Sequence, residues 1–435
     1  MPIPGSVRGL RRLAVCSSAL LFVIALAVGA SGPASAVATY YVSIGGNDAN
    51  AGTSAFPWRT IQHAADVAGA GDTVIVQPGT YVGAKFSRSG TSGAPITFHG
   101  QTGAVVASPG ALNSNSDNLW VRNANYIVLE GFEVRSAPRA GIAVQGEPTA
   151  PATGIVVRNN NCHDNGRWGI FTGYAQDFQA IGNVAAGSAI EHGIYVSNSS
   201  DNPVIRANVV HDNHASGIQL NADPALPGDG IITNALVENN VVYNNGAAGG
   251  AAINLASIRS SLVRNNLLYN NHASGIAGWD DGDGRQWGTK NNRFLNNTIV
   301  QASDGRFAVS LQNGSTGNTF QNNVLFHTGT RGSYDTDRSS RTGLVSDYNV
   351  VTNVYSLAGK FVSYSQWKSM GFDSHSIMRT SVAGLFVNPA GGDYHLPNGS
   401  AAIDAGTTRT DVPADLDGVA RPQRVRYDIG AYEAV

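Results

Sequence analysis

Three carboxylates lie close together in residues 278–287, where Asp280, Asp281 and Asp283 stand between Trp279 and Trp287. Carboxylate oxygens are hard ligands that suit Ca²⁺, and two carboxyl groups can also supply the acid and base of glycoside hydrolysis. The interspersed glycines predict an exposed loop, in which the same Asp side chains could instead cap backbone amides. Because two Trp residues flank the acidic group, we interpret it as a candidate site. Asp280 and Asp281 are the catalytic candidates, and all three Asp residues are candidate Ca²⁺ ligands.

A second group of reactive side chains contains His192 and Tyr195, which lie three residues apart. In a β-elimination a base removes the C5 proton of a uronate, and an acid protonates the leaving oxygen. His192 and Tyr195 could fill these two roles. Gln219 and Asn254 occupy equivalent places in the next two repeats and would neutralise the uronate carboxylate.

Aromatic side chains extend this group on its N-terminal side. Trp168 and Phe171 precede His192 by one repeat, and Arg167 and Glu191 lie at the edge of the same surface. Sugar rings stack on aromatic faces, while amides and charged groups bind hydroxyls and carboxylates. We call Trp168, Phe171, His192, Tyr195, Gln219 and Asn254 the outer strip. With Arg167, Glu191, Trp279 and Trp287 it forms a predicted glycan-binding surface, and the alternative is an ordinary solvent-exposed face.

The elements that must position these residues are visible as a repeat. An Asn precedes an apolar pair every 23 to 32 residues, at Asn160, Asn183, Asn208, Asn240, Asn266, Asn297 and Asn323. Two short apolar strands per period with an Asn at one corner describe a solenoid, because each coil can bury its apolar residues only against its neighbours. The repeated Asn can donate its amide to the next Asn along the stack.

A second periodic series fixes which side chains share a face. Its members are Gly141-Ile142, Gly169-Ile170, Gly193-Ile194, Gly217-Ile218, Ala252-Ile253 and Gly275-Ile276. If each Ile points into the coil, the residue after it and the residue before the small residue point out, because side chains alternate along a strand. This alternation places the outer strip on one outward face. Arg139 and Arg167 lie at its edge, two residues before their Gly.

Both ends of the chain resemble those of secreted right-handed parallel β-helix proteins of the pectin-lyase-like superfamily. The motifs that carry the resemblance are Tyr40-Tyr41-Val42-Ser43, Pro57-Trp58-Arg59-Thr60-Ile61-Gln62, Gly71-Asp72-Thr73-Val74, Pro78-Gly79-Thr80-Tyr81 and Asp428-Ile429-Gly430-Ala431-Tyr432-Glu433. The resemblance implies an all-β, single-stranded right-handed parallel β-helix that acts on polysaccharides. In lyases of this superfamily the base is usually Lys or Arg beside acidic Ca²⁺ ligands. This sequence departs from that pattern, since its coil region contains only Lys290 and scattered Arg residues.

The domain organisation follows from these patterns. Residues 1–38 contain three Arg residues, an apolar run and small residues typical of a signal-peptide cleavage site, so we expect secretion to the extracellular space and no membrane span. Residues 39–95 form the N-terminal cap and first coils, with one apolar helical face over 60–68 that predicts a capping helix. Residues 96–330 form the regular coils, 331–384 irregular late coils, and 385–435 a closing segment. We expect a monomer.

Composition limits the function further. The formal net charge is −2 and Lys is rare, which disfavours nucleic acid as a partner. We expect an enzyme that cleaves an extracellular polysaccharide, with β-elimination ahead of glycoside hydrolysis by Asp carboxylates. Epimerisation of polymer uronates also begins with removal of the C5 proton. A hypothesis of another class is a non-catalytic glycan-binding or cell-surface structural protein, because fold alone does not establish activity.

Overall fold

The computed structural model describes residues 37–282 and 284–435, and within these ranges the chain winds into a parallel β-helix of three sheets with 12 strands each. A full turn adds one strand to each sheet in a constant order, so we name them the first, second and third sheet in chain order. Neighbouring strands are parallel throughout the described sheets except at the end of the third, where Tyr355–Leu357 and Lys360–Val362 are antiparallel. The prediction of an all-β parallel β-helix is confirmed.

The strands of each sheet follow one another along the helix axis. The first sheet contains Thr39–Val42, Thr73–Val76, Ile96–Gly100, Ile127–Glu130, Val156–Arg158, Gln179–Ile181, Val204–Arg206, Leu236–Glu238, Leu262–Arg264, Arg293–Leu295, Thr319–Gln321 and Val345–Asp347. The second contains Gly79–Val82, Ala104–Ser108, Glu133–Arg135, Asn161–His163, Val184–Ala186, Val209–His211, Val241–Tyr243, Leu267–Tyr269, Thr298–Gln301, Val324–His327, Val350–Val351 and Ile377–Met378.

The third sheet carries the outer strip. It contains Ala84–Phe86, Leu119–Arg122, Ala140–Gln145, Trp168–Gly173, Ile194–Ser197, Ile218–Asn221, Ala251–Ala256, Ser274–Trp279, Val309–Leu311, Tyr334–Thr336, Tyr355–Leu357 and Lys360–Val362. Two short strand pairs, Ala152–Thr153 with Ala175–Gln176 and Ile232–Thr233 with Ile258–Arg259, lie in the turns that lead back to the first sheet.

The predicted asparagine ladder lies at the corner between the first and second sheets. The side-chain amide of Asn160 donates to Oδ1 of Asn183 at 3.1 Å, and Asn183 donates in the same way to Asn208. The series continues through Asn240, Asn266, Asn297 and Asn323 to Asn349. These amides are fully or almost fully buried, so the ladder satisfies polar groups that would otherwise be stranded in a dry corner.

The residue before each ladder asparagine makes the corner turn. Asn159, with φ 54°, and Asn239, with φ 56°, adopt the left-handed conformation that Asn tolerates better than most residues. Where a corner has an Asn-Asn pair, the two residues therefore have different roles. The first Asn turns the chain, and the second joins the ladder.

Short helices lie outside the sheets. The α-helix Ile61–Val67 begins after Thr60, whose side chain accepts from the backbone N–H of His63, and it buries Ile61, Ala64 and Ala65. A second α-helix spans Tyr364–Ser369, and 3₁₀ turns span Arg285–Trp287 and Pro389–Gly391. No helix in the described ranges is long and apolar enough to cross a bilayer.

The C-terminal segment covers part of the outer surface of the coils. Leu385, Phe386 and Ile429 pack with Val300 and Val324 of the second sheet. A smaller cluster joins Val412 and Tyr427 to Leu295 of the first sheet. In the described part of the chain, these tail clusters include no residue of the third sheet, whose outer face is the one that carries the predicted site.

Candidate functional site

The third sheet aligns the outer strip as the sequence predicts. Ile142, Ile170, Ile194, Ile218, Ile253 and Ile276 pair in successive rungs and are all 0% exposed in the core of the coil. The outward residues after them are also in register, in the order Ala143, Phe171, Tyr195, Gln219, Asn254, Ala277 and Ser310. Adjacent rungs lie about 4.8 Å apart, so this row presents one side chain per rung along the axis.

The aromatic end of the strip is buried, contrary to the prediction of exposed rings. Trp168 and Phe171 are stacked with centroids 4.3 Å apart and are only 6% and 8% exposed. They form an apolar cluster of their own on the outside of the coil, and the half-buried Tyr195 packs against it. The difference has a simple cause, since large rings on adjacent rungs cover each other even where the strand points outward.

Two arginines border this cluster, and we call Arg139 and Arg167 the N-terminal arginine pair. Nε of Arg139 donates to Asp117 at 2.8 Å, and its guanidinium lies 5.2 Å from the centre of the Phe171 ring. Arg167 forms an ion pair with Glu191 at 2.7 Å. Burial raises the pKa of Asp117, and its hydrogen bonds to Arg139 offset part of this effect. Each guanidinium in this pair is therefore neutralised by a carboxylate.

His192 is held as a neutral imidazole. The backbone N–H of Ser216 donates to Nδ1 of His192 at 3.1 Å, and burial together with the charge of Arg167 lowers the pKa of His192 to about 4. The neutral ring therefore carries its proton on Nε2, which lies 3.9 Å from Glu191. Because the lone pair on Nδ1 is already engaged, this arrangement favours His192 as a hydrogen-bond donor over the predicted role of base.

Tyr195 is held in its protonated form. Burial raises the pKa of Tyr195, and the nearby charges of Asp281, Glu191 and Asp223 raise it further, while a hydrogen bond with Asn221 acts in the opposite direction. Asn221 also donates to Oδ2 of Asp281 at 3.1 Å. The phenol is therefore a proton donor, with Asp281 close by through Asn221.

The two amides of the strip are oriented by neighbours. Oε1 of Gln219 accepts from the hydroxyl of Ser216 at 3.0 Å, and Oδ1 of Asn254 accepts from the indole N–H of Trp279 at 2.8 Å. Both amide oxygens are thus engaged, which leaves the NH₂ groups as the part available to a ligand. Gln219 and Asn254 are 4% and 7% exposed, so these donors sit low in the surface.

The acidic loop is exposed at Gly282 and over 284–286, as predicted, but Asp280 at its start is buried. Asp280 is 2% exposed and accepts from the backbone N–H of Gly284 at 3.0 Å and from the side chain of Asn313 at 2.7 Å. These bonds favour the alternative reading of Asp280 as a turn cap. Trp287 lies in the 3₁₀ turn Arg285–Trp287, and Asp283 lies outside the described residues.

The described residues fit a resident metal poorly. Both oxygens of Asp280 accept N–H donors, so a Ca²⁺ ion would have to displace hydrogen bonds that hold the loop. Among described residues, no group of three or more His, Cys, Asp or Glu side chains is arranged to hold a metal. No step of the chemistry considered below passes through a metal ion, and a Ca²⁺ requirement stays a prediction.

Sequence reasoning missed a second pair of arginines on the same face. Arg306 and Arg331 stand three residues before Val309 and Tyr334, which are paired in the third sheet. Arg139 and Arg167 hold the same position before the paired Ile142 and Ile170. We call Arg306 and Arg331 the C-terminal arginine pair. The signal was present in the sequence as Arg-Phe before Ala308, which matches Arg-Trp before Gly169.

These features define the class of the protein as a parallel β-helix with a polar and aromatic outer face on one sheet. More specifically, residues 40–183 match the family described as "Pel9A-like, right handed beta helix region". The chain is 29% identical over 218 residues to the uncharacterized protein YwoF of Bacillus subtilis (strain 168), covering 48% of this chain and 42% of YwoF. It is 31% identical over 144 residues to pectate lyase PEL9 of Emericella nidulans, covering 29% of this chain and 35% of PEL9. The matches thus span less than half of each relative.

Solved structures agree on the fold over a longer range. The crystal structure of pectate lyase Pel9A aligns with a TM-score of 0.60 at 17% identity and covers 92% of this chain and 96% of Pel9A. XylC, solved in complex with xylose, aligns with a TM-score of 0.56 at 12% identity, covering 91% and 98% of the two chains. At these identities the likeness establishes the fold and its handedness, and the chemistry has to be argued from the residues.

Proposed function

We propose that this protein is a secreted enzyme that binds an extracellular polysaccharide along the outer face of the third sheet and cleaves it by β-elimination. One observation carries the proposal. Tyr195, Gln219 and Asn254 stand in register on three consecutive rungs and all present donors, beside the carboxylate of Asp281. Two amide donors next to a protonated phenol suit a uronate, whose carboxylate must be stabilised while its C5 proton leaves. The pectate lyases among the similar proteins support the same choice.

Each residue has a defined role in this mechanism. The NH₂ groups of Gln219 and Asn254 bind the uronate carboxylate. Asp281 takes the C5 proton, a C4–C5 double bond forms as the C4–O bond breaks, and Tyr195 donates its proton to the leaving oxygen. The Nε2–H of His192 adds a donor at the edge of the same surface.

Glycoside hydrolysis is the second candidate, and a separate observation favours it. Three carboxylates, Asp281, Glu191 and Asp223, act on the Tyr195 hydroxyl electrostatically. Hydrolysis needs two carboxyl groups on either side of the scissile bond, and a neutral glycan would then be a suitable substrate. A non-catalytic glycan-binding role uses the same surface without any of these proton transfers.

The deciding experiment is turnover of pectate, alginate, a glycosaminoglycan and a neutral glucan by the chain lacking residues 1–38, with and without EDTA. Ultraviolet absorbance from a 4,5-unsaturated product supports elimination. New reducing ends without that absorbance indicate hydrolysis, and binding without either product indicates a non-catalytic role. The EDTA arm tests the predicted Ca²⁺ requirement.

The assignment of Tyr195 is tested by Tyr195→Phe, which removes the hydroxyl and keeps the ring. Loss of general acid catalysis should lower kcat by about 10² to 10⁴ while the thermal midpoint stays unchanged. Tyr243→Phe is the matched control, because Tyr243 stacks between His211 and Tyr269 on the second sheet. Full activity of Tyr195→Phe would remove Tyr195 from the mechanism.

A further inference from the structure

A cavity of about 480 Å³ opens on the outer face of the third sheet, toward its C-terminal end. Residues of three adjacent rungs line it, and the hairpin turn at Ala358 and Gly359 forms one wall. The lining side chains that matter here are Ser274, Arg306, Phe307, Gln312, Arg331 and Asp335. The mechanism proposed above uses none of them.

The two arginines in this cavity have no carboxylate partner among the described residues. Arg306 and Arg331 are both exposed, and neither takes part in an ion pair or a side-chain hydrogen bond with another described residue. The guanidinium of Arg331 lies 5.7 Å from the centre of the Phe307 ring. Two guanidiniums on neighbouring rungs, held beside an aromatic floor, form a receptor for an anion with two or three oxygens.

The remaining polar groups suit the hydroxyls of a sugar. Asp335 lies in the same cavity, and its Oδ2 accepts from the side-chain amide of Gln312 at 3.2 Å, which fixes the carboxylate in place. A carboxylate in the same cavity as two guanidiniums disfavours a bare polyanion and favours a ligand that also donates hydrogen bonds. An acidic monosaccharide unit combines an anionic group with such donors.

The cavity lies beyond the C-terminal end of the outer strip. Asn254 pairs with Ala277, and Ala277 pairs with Ser310, which also lines the cavity. Asn254 and Ser310 are therefore two rungs, about 10 Å, apart. The outward side chain between them is only the methyl group of Ala277, so it leaves room for a ligand chain that spans both places.

We infer that the C-terminal arginine pair is a subsite for an acidic sugar unit, which Arg306 and Arg331 bind through its carboxylate or sulfate group. The inference rests on the proposed function in taking the ligand to be a saccharide. It adds a second binding position for an acidic unit, away from the reacting bond.

Binding measurements by calorimetry on the chain lacking residues 1–38 test this inference. The probes are tri-galacturonate, a sulfated disaccharide and neutral cellotriose. We expect at least one anionic probe to bind more tightly than cellotriose, and more weakly at high salt. The double variant Arg306→Gln/Arg331→Gln should raise the Kd of that probe about tenfold or more, since it removes charge-assisted hydrogen bonds.

Two further variants make the result specific. Arg338→Gln removes the same charge from an exposed position that does not line the cavity, and it should leave the Kd unchanged. Arg306→Lys/Arg331→Lys keeps the charge without the planar fork and should recover part of the affinity. Preference for the carboxylate or the sulfate probe identifies which anion the cavity takes.

The inference is overturned if neither anionic probe binds at millimolar concentration, or if the double Gln variant binds as the unaltered chain does. Failure of the proposed function looks different. If no substrate is turned over but the double Gln variant loses anion binding, the subsite stands on a non-catalytic protein. If substrate is turned over with an unchanged KM in the double Gln variant, the enzyme stands and the subsite falls.

Discussion

The N-terminal and the C-terminal arginine pairs occupy equivalent positions at opposite ends of one face, yet their surroundings differ. Arg139 and Arg167 are paired with Asp117 and Glu191 and lie against large rings. Arg331 also lies against a ring, that of Phe307, but no carboxylate among the described residues forms an ion pair with it or with Arg306.

This difference shows how one repeat position can serve structure at one end and binding at the other. A guanidinium that is paired with a carboxylate uses its hydrogen-bond donors within the protein. Such a guanidinium also packs on the rings of the aromatic cluster and stabilises it. A guanidinium without a carboxylate keeps that capacity for a ligand. The repeat supplies the same residue type at both ends, and the neighbouring rung decides its role.

The largest expected effect concerns the buried partner of the N-terminal pair. Asp117 is fully buried, so Asp117→Asn leaves the guanidinium of Arg139 without a counter-charge. We expect the free energy of unfolding to fall by about 3 kcal/mol, as measured by urea denaturation at pH 7. A change below about 1 kcal/mol would mean that the ion pair contributes little, and the structural role of this pair would be wrong.

The second effect is a pH dependence that belongs to the same end of the face. The folded-state pKa of His192 is about 4, below the ordinary value of 6.5, so the unfolded chain binds more protons between these pH values. The contribution is therefore present at pH 7 and lost as the pH falls toward 4. Between pH 7 and pH 5 it should cost about 2 kcal/mol of unfolding free energy.

The His192→Asn variant isolates this contribution. Asn can still accept from the backbone N–H of Ser216 but does not titrate, so its unfolding free energy should change less between pH 7 and pH 5 than that of the unaltered chain. Identical changes in the two proteins would show that His192 is not the titrating group.

A third variant removes the carboxylate partner of Arg167, so that this arginine resembles those of the C-terminal pair. Glu191→Gln keeps an acceptor for the Trp168 indole but removes the negative charge next to Arg167. We expect tri-galacturonate to bind about fivefold more tightly, equivalent to about 1 kcal/mol, in calorimetry at low salt. An unchanged Kd for tri-galacturonate would indicate that groups other than Glu191 also keep Arg167 from the ligand.

The smallest effect is expected for the stability of the C-terminal pair. Arg306→Gln and Arg331→Gln remove exposed side chains without ion-pair partners among the described residues, so each should change the free energy of unfolding by less than about 0.5 kcal/mol. If either substitution lowered the free energy of unfolding by about 2 kcal/mol in the same urea experiment, the C-terminal pair would also have a structural role, and the proposed difference between the two pairs would be wrong.

The fold was predictable from the sequence because successive coils repeat the same pattern of corner and inward residues. The ladder Asn recurs at successive corners from Asn160 to Asn323 and the inward Ile from Ile142 to Ile276, and both patterns can be seen in the sequence without coordinates. The side chains of the ladder and the register of the outward row agree with the structure at each position compared above.

The site was only partly predictable, since burial on an outer face depends on neighbours from other coils. Sequence alternation places Trp168 outward correctly, but it cannot show that Phe171 and Arg139 cover it. Asp280 also accepts a hydrogen bond from a side chain of the next coil, that of Asn313, which the local sequence cannot show. Arg306 was missed because the series of small residue and Ile ended at Gly275-Ile276, and the next rung has Ala308-Val309 in its place.

The asparagine ladder also gives the stack of coils a polarity and a mechanical continuity. Every amide from Asn160 to Asn323 donates toward the C-terminal neighbour, so the dipoles point the same way along the axis and reinforce one another. Since each coil touches only its neighbours, tension along the axis passes through every link in series. Removing one central amide, such as that of Asn240, breaks the series at two links, those with Asn208 and Asn266.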